Sequence, residues 1–294
     1  MKPMLKRTLC LLAGFCSTVA TAGTYDQKTP IQVSGQLTQG GYAIVTASPG
    51  SRISYAKRTL IVDESGARPI GFSRDAATRQ EISVRLPDGR TIIREITLAP
   101  RKYAIQRING LKKRYVSPDK ATLKKIREDI ARARAARRLD LPFAGWRDRF
   151  IWPTSGIISG VYGSQRILNG KPRRPHYGVD IAAPTGTPVY APAGGKVTLA
   201  TPMVLSGNTL MIDHGRGVRS TFMHLSNMTV HEGELVKKGQ KVGEVGATGR
   251  ATGPHLHWGM SWFNTRLDPA TFMDVPDLKP GARVKAKTRA VSEK

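Results

Sequence analysis

A chain of 294 residues with a formal net charge of +26 is long enough for two domains and a linker, and basic enough to attract polyanions. Nucleic acid is the usual partner of such a charge, but no nucleic-acid-binding motif is present and aromatic residues make up only 6% of the chain. Both cysteines, Cys10 and Cys16, fall within the first 22 residues, which excludes a disulfide-stapled fold for the remainder.

Residues 1–22 read as a secretory signal peptide. Lys2, Lys6 and Arg7 form a positive start, Thr8 to Val19 is apolar or small, and Ala20-Thr21-Ala22 is an A-x-A cleavage site. The apolar run is too short for a transmembrane segment, which takes about 20 residues. Bulky Phe15 before Cys16 argues against a lipoprotein signal. The expected location is the periplasm or cell envelope, where an anionic wall polymer or anionic lipid headgroups would meet the positive charge. Residues 23–100 read as an all-β module with an Ig-like sandwich as the expected form. GYAIVTA, RTLIVDE, EISVRL and TIIREITL are rich in β-branched residues, and SPGS (48–51), DESG (63–66) and PDG (87–89) punctuate them.

Residues 101–142 read as a basic linker carrying a helix. Ser117 is the expected N-cap and Pro118 the first helical residue. Leu123, Ile126, Ile130 and Ala133 recur at helical spacing, and Pro142 closes the run. The opposite face is crowded with Lys124, Lys125, Arg127, Arg132, Arg134, Arg137 and Arg138. A basic amphipathic helix can lie on a membrane, so a peripheral membrane contact is one reading. Its apolar stripe is thin and lacks Trp and Phe, which favours a helix that packs on a domain. Residues 276–294 read as a basic tail, disordered from Lys279 onward.

The chemistry concentrates in residues 143–275. PHYGVD holds an H-x3-D pair, His176 and Asp180; FMHLS holds His224; GPHLHW holds an H-x-H pair, His255 and His257. These are donors that Zn2+ prefers, and there are more of them than the three protein ligands of a catalytic site. On a strand, His255 and His257 share one face while Leu256 points to the core. Pro254 opposes a helix through the pair. A lone histidine is more often a packed core residue than a ligand, and His214 and His231 are read that way, as structural or surface residues. Spacing alone does not decide whether His255 or His257 is the ligand.

SGVYGSQR, HYGVDIAAPTGTPVYAPAGGKV, GNTLMIDHGRGVRSTFMHLS, VKKGQKVGEVGATG and TGPHLHW, in that order, resemble the lysostaphin-type zinc endopeptidases, the peptidase M23 or LytM family, from Trp152 to about Met273. The resemblance implies a C-terminal antiparallel β lysostaphin-like domain (a duplicated hybrid motif) with a groove over one sheet face, in a mainly β chain. It implies one zinc ion held by His176, Asp180 and His257, with His224 and His255 as the pair that handles protons and transition-state charge. Many family members carry Glu two residues after H-x-H; Gly259 stands there in this chain.

The function implied is hydrolysis of peptide bonds in peptidoglycan stem peptides or cross-links by zinc-activated water. Two alternatives belong to the same fold. One is a non-enzymatic LytM-type regulator of cell-wall amidases, against which the complete His176, Asp180 and His257 set argues; the other is a secreted protease or bacteriolysin. A regulatory protein partner is also compatible with the N-terminal module. A linker side chain, Asn109, Glu128 or Asp129, could donate to the open metal position.

Overall fold

The computed structural model describes residues 31–109, 117–275 and 277–286. The signal-peptide expectation therefore lies outside the described residues, as do residues 287–294 of the tail. Within the N-terminal module, β1 (Ile31–Gly35), β2 (Tyr42–Ala47) and β5 (Ala67–Gly71) form one sheet in the order β1-β2-β5. The other sheet has the order β4-β3-β6-β7, from β3 (Arg52–Tyr55), β4 (Arg58–Ile61), β6 (Arg79–Arg85) and β7 (Thr91–Thr97). Every pairing in these two sheets is antiparallel. Alternation drives them: Ala43, Val45 and Ala47 of β2 and Ile53 and Tyr55 of β3 are buried while their neighbours are not. The PDG turn joins β6 to β7 through Leu86 N–H donating to Arg90 O (2.8 Å), with Gly89 at φ 88°.

A short strand, β8 (Ile105–Ile108), precedes helix α1 (Lys120–Ala136). The helix starts later than Ser117 predicts. Asp119 is the N-cap, its Oδ1 accepting from Thr122 N–H at 2.7 Å, so Pro118 lies outside the helix. It also ends at Ala136, ahead of Pro142. Ile126, Ala133 and Ala136 are buried, whereas Leu123 and Ile130 are 37% and 44% exposed, so only part of the apolar stripe is covered. Arg137, expected on the solvated face, is buried at the helix end.

The C-terminal part contains β9 (Gly156–Gly160), β10 (Gln165–Leu168), β11 (Lys171–Pro172), β12 (Val179–Ala182), β13 (Pro188–Tyr190), β14 (Gly195–Met203), β15 (Gly207–Gly215) and β16 (Val218–Leu225). It continues with β17 (Asn227–Met228), β18 (Leu235–Val236), β19 (Lys241–Glu244), β20 (His255–Trp262), β21 (Thr265–Leu267) and β22 (Arg283–Val284). The main sheet runs β18-β14-β15-β16-β20-β12-β9-β22, with β21 also paired to β20. Its pairings are antiparallel. Smaller sheets have the orders β13-β19-β17 and β11-β10-β8, and β8 meets β10 in parallel. The chain is thus mainly β with one described α-helix. The tail is not wholly without structure: Arg283 and Val284 pair with Ile157 and Gly156, and Val284 is buried.

One apolar core runs from Ile31 through Val284. At its centre the N-terminal strands meet the main sheet closely. A Cβ on Gly71 of β5 would come within 2.7 Å of Trp262 Cβ, so the strand approaches only because that position is glycine. Tyr42 stacks on Phe272 with ring centroids 4.1 Å apart. Arg101 donates to the buried Asp268 at 2.7 Å. Behind the sheet, buried Arg219 of β16 pairs with Asp213 and donates to Arg137 O (2.7 Å) and Leu139 O (2.5 Å), tying down the chain that leaves α1.

Candidate metal centre

Register brings the donors together. On β12 and β20, Asp180 is the cross-strand partner of His257, and Ala182 that of His255. His257 is also paired with Met223 of β16, one residue before His224. His176 enters from the loop ahead of β12, its backbone N–H bonded to Ser164 O. Leu256 is buried with no exposure, so the H-x-H histidines share the opposite face.

His176 Nε2, Asp180 Oδ1 and His257 Nδ1 lie 2.8–3.0 Å from one another. All three side chains are buried. Hydrogen bonding alone does not account for this triangle. His176 Nδ1 lies 3.0 Å from Val161 O and carries the proton there, which leaves Nε2 as a lone pair. An ionised Asp180 is an acceptor only, and His257 Nδ1 carries at most one proton. Three mutual contacts therefore share at most one hydrogen, and the rest are lone pairs facing lone pairs. A small divalent cation with a taste for nitrogen and oxygen fits this donor set.

The surroundings support the same charge state. Burial would raise the Asp180 carboxyl, but His176 and His257 outweigh it and hold it well below the usual carboxylate range. Burial pulls His257 down to about 3, against the opposing pull of Asp180, so its ring is neutral near pH 7. Arg166 of β10 donates from Nη2 to Asp180 Oδ2 at 2.7 Å, which pins that oxygen and leaves Oδ1 to the cluster. Arg166 Nε is in turn held by Gln106 Oε1 of β8 at 3.1 Å. Two glycines make room. A Cβ at Gly160 would meet Asp180 Oδ2 at 2.7 Å, and one at Gly178 would meet His257 Nε2 at 2.6 Å.

The other two histidines stand beside this cluster without joining it. His224, the penultimate residue of β16, lies in the left-handed region at φ 65°, which is unusual for a non-glycine residue. Its Nδ1 lies 2.8 Å from Thr248 O, and His255 Nδ1 lies 2.8 Å from Gly253 O. Both carbonyls call for the Nδ1–H tautomer and leave Nε2 free as a base. The two rings are 4.8 Å apart, and His255 Nε2 is 4.0 Å from Asp180 Oδ1. Burial, then the neighbouring His255, pulls His224 down to about 4. Both histidines line a cleft of about 310 Å³ with Asp180, Arg166 and Gln106.

His214 and His231 sit elsewhere. His214 is buried between Gly194 O (2.9 Å) and Ser220 Oγ (2.8 Å), while His231 is exposed beside Glu234. Of the linker donors, Asp129 is occupied by Val204 N–H at 2.8 Å, and none of Asn109, Glu128 and Asp129 lines the cleft. Sequence pattern alone does not mark Arg166, Gly160 or Gly178 as site residues. Gly178 stands between His176 and Asp180, where a bulkier residue has no room; Arg166 gave no signal, since only the β10 sheet brings it to Asp180.

Residues 174–269 match the family model for peptidase family M23. A crystal structure of a peptidase M23 from Pseudomonas aeruginosa is 32% identical, with a TM-score of 0.66, and the match covers 81% of this chain and 96% of that one. The peptidoglycan DD-endopeptidase ShyB of Vibrio cholerae is 43% identical over 105 residues, 36% of this chain and 24% of that protein. The DD-carboxypeptidase/endopeptidase Mpg of Neisseria meningitidis is 48% identical over 85 residues, 29% of this chain and 20% of that protein. The chain thus spans about a fifth to a quarter of the length of these two relatives.

Proposed function

The chain belongs to peptidase family M23, and on that premise we propose that it is a zinc endopeptidase that hydrolyses peptide bonds in peptidoglycan stem peptides or cross-links. The observation that carries the proposal is the buried triangle of His176 Nε2, Asp180 Oδ1 and His257 Nδ1, which holds too few protons to satisfy itself. These three atoms would hold the ion. Bound there, zinc would supply a Lewis acid able to lower the pKa of a water from about 15.7 to about 7.

The chain's own residues do the rest. Val161 O fixes the His176 tautomer, and Arg166 fixes the carboxylate plane of Asp180. His224 and His255 present free Nε2 atoms beside the cluster. One takes the proton of the attacking water and returns it to the leaving amine, a contribution of about 10²–10⁴-fold. The other, after taking a proton from solvent at Nε2, donates a hydrogen bond to the oxyanion that develops on the scissile carbonyl. The ligand set argues against a metal-free amidase regulator. Relatives named as peptidoglycan endopeptidases and the net charge of +26 point to an anionic wall substrate in the cell envelope, reached by export. Among the described residues no helix is long and apolar enough to cross a membrane.

The test is to incubate the protein with purified peptidoglycan, with and without chelator, and identify the released fragments by mass spectrometry. Chelator-sensitive release of cut stem peptides or cross-links is expected. Release that survives stripping of all metal would refute the zinc reading, and intact peptidoglycan in the metal-loaded arm would refute the substrate.

A further inference from the structure

A second, larger cavity of about 570 Å³ lies between α1 and the main sheet. Its wall carries Arg134 of α1, Arg137 and Arg138 just after the helix, Arg174, and Arg266 of β21. The single acid on the wall is Asp129, whose carboxylate already accepts from Val204 N–H. None of the five arginines forms an ion pair among the described residues. Arg137 is 7% exposed, and its Nε is buried with no hydrogen-bond partner. Burial, with Arg266, Arg219 and Arg134 nearby, pulls its guanidinium down to about 8. A guanidinium keeps its proton in proteins all the same, so this side chain is a buried positive charge without a counter-charge.

Such a cluster costs stability unless something negative fills it. From this we infer that the cavity is a binding site for a phosphate-bearing anion, best a diphosphate, seated against Arg137 and clasped by Arg174 and Arg266. Several guanidinium forks in one cavity suit the many acceptor oxygens and multiple charge of a diphosphate. One carboxylate would leave most of the positive charge unmet. Ile126, Met203 and Met211 on the same wall give the ligand's uncharged portion an apolar surface. The site is separate from the metal ligands, none of which lines it.

Thermal melting of the full chain with inorganic pyrophosphate tests the inference, at constant ionic strength because the whole molecule is basic. A saturable rise in Tm is expected. Arg137→Met should weaken pyrophosphate binding about tenfold or more. It should also raise the Tm of the anion-free protein, because an unpaired buried charge has been replaced by an apolar side chain. Arg174→Gln at the exposed wall should weaken the response with little change in anion-free Tm. Three results would overturn the inference: no shift with pyrophosphate; the same shift in both variants; or a lower anion-free Tm in Arg137→Met, which would mean the charge is already compensated. A larger shift with citrate than with pyrophosphate would overturn the phosphate assignment in favour of carboxylates. Vesicles of phosphatidylglycerol against phosphatidylcholine separate the sources. Cosedimentation that needs Arg137 and is displaced by pyrophosphate identifies a lipid headgroup; pyrophosphate binding without it identifies a soluble phosphate.

Discussion

Acidification should unfold this protein partly through His214, a residue remote from the cleft. Its ring is buried in full, and burial pulls it down to about 4 from an ordinary value of 6.5, while its bonds to Gly194 O and Ser220 Oγ keep it oriented. The folded state therefore binds this proton less readily than the unfolded chain. Its contribution is complete above about pH 6.5 and is lost as pH falls from there to about 4. A difference of that size corresponds to about 3 kcal/mol at the acid end. His224 and His257 are depressed in the same direction, so wild-type stability alone does not isolate His214. A comparison with His214→Asn does, since the variant lacks only this titration. Urea unfolding of both proteins between pH 7.5 and 4 gives the difference in stability at each pH. The variant should be the weaker at pH 7.5, through lost packing and hydrogen bonds, and the gap should close by about 3 kcal/mol toward pH 4. A gap that stays constant over the whole range would refute the assignment of a neutral, buried His214.

Three further outcomes are expected. His224→Ala should retain the metal by elemental analysis yet lose activity by about 10²-fold or more, because its Nε2 faces the cleft without joining the ligand triangle; metal loss would place it among the ligands. Gly178→Ala should weaken metal affinity about 10–100-fold in a chelator competition, since the new Cβ would fall 2.6 Å from His257 Nε2; unchanged affinity would show that the loop yields freely. A chain cut to begin near Pro142 should be poorly soluble or unfold at much lower urea, because it uncovers Trp262 and removes Tyr42 from Phe272; a truncated chain as stable as the whole would show that the N-terminal strands contribute little to the shared core.

Much of the fold and of the donor set could be read from short-range pattern. Alternation marks β2, β3 and β6, and the PDG turn fixes the hairpin of β6 and β7, because these are local consequences of pleat and turn chemistry. The H-x-H face was legible for the same reason: Leu256 needs the core, so its two neighbours must turn away from it. What escaped reading depends on partners far along the chain. Arg166 reaches Asp180 only through the pairing of β8, β10 and β11, and Val284 is a lone apolar residue in a basic stretch until β9 offers it an edge. Arg137 is the sharpest case. At the C-cap of α1 it follows a run of basic residues, and a run of charge ordinarily means a solvated face. Its burial is decided by Arg219, a residue on β16, which draws the chain after the helix onto the sheet by holding Arg137 O and Leu139 O. The backbone is thus anchored by one arginine's donors while a second arginine's charge is carried inside without compensation. A fold has little reason to keep that arrangement for stability alone, since an apolar side chain of the same length would pack there at lower cost. The unmet charge is therefore better explained by what the cavity receives than by what holds it together.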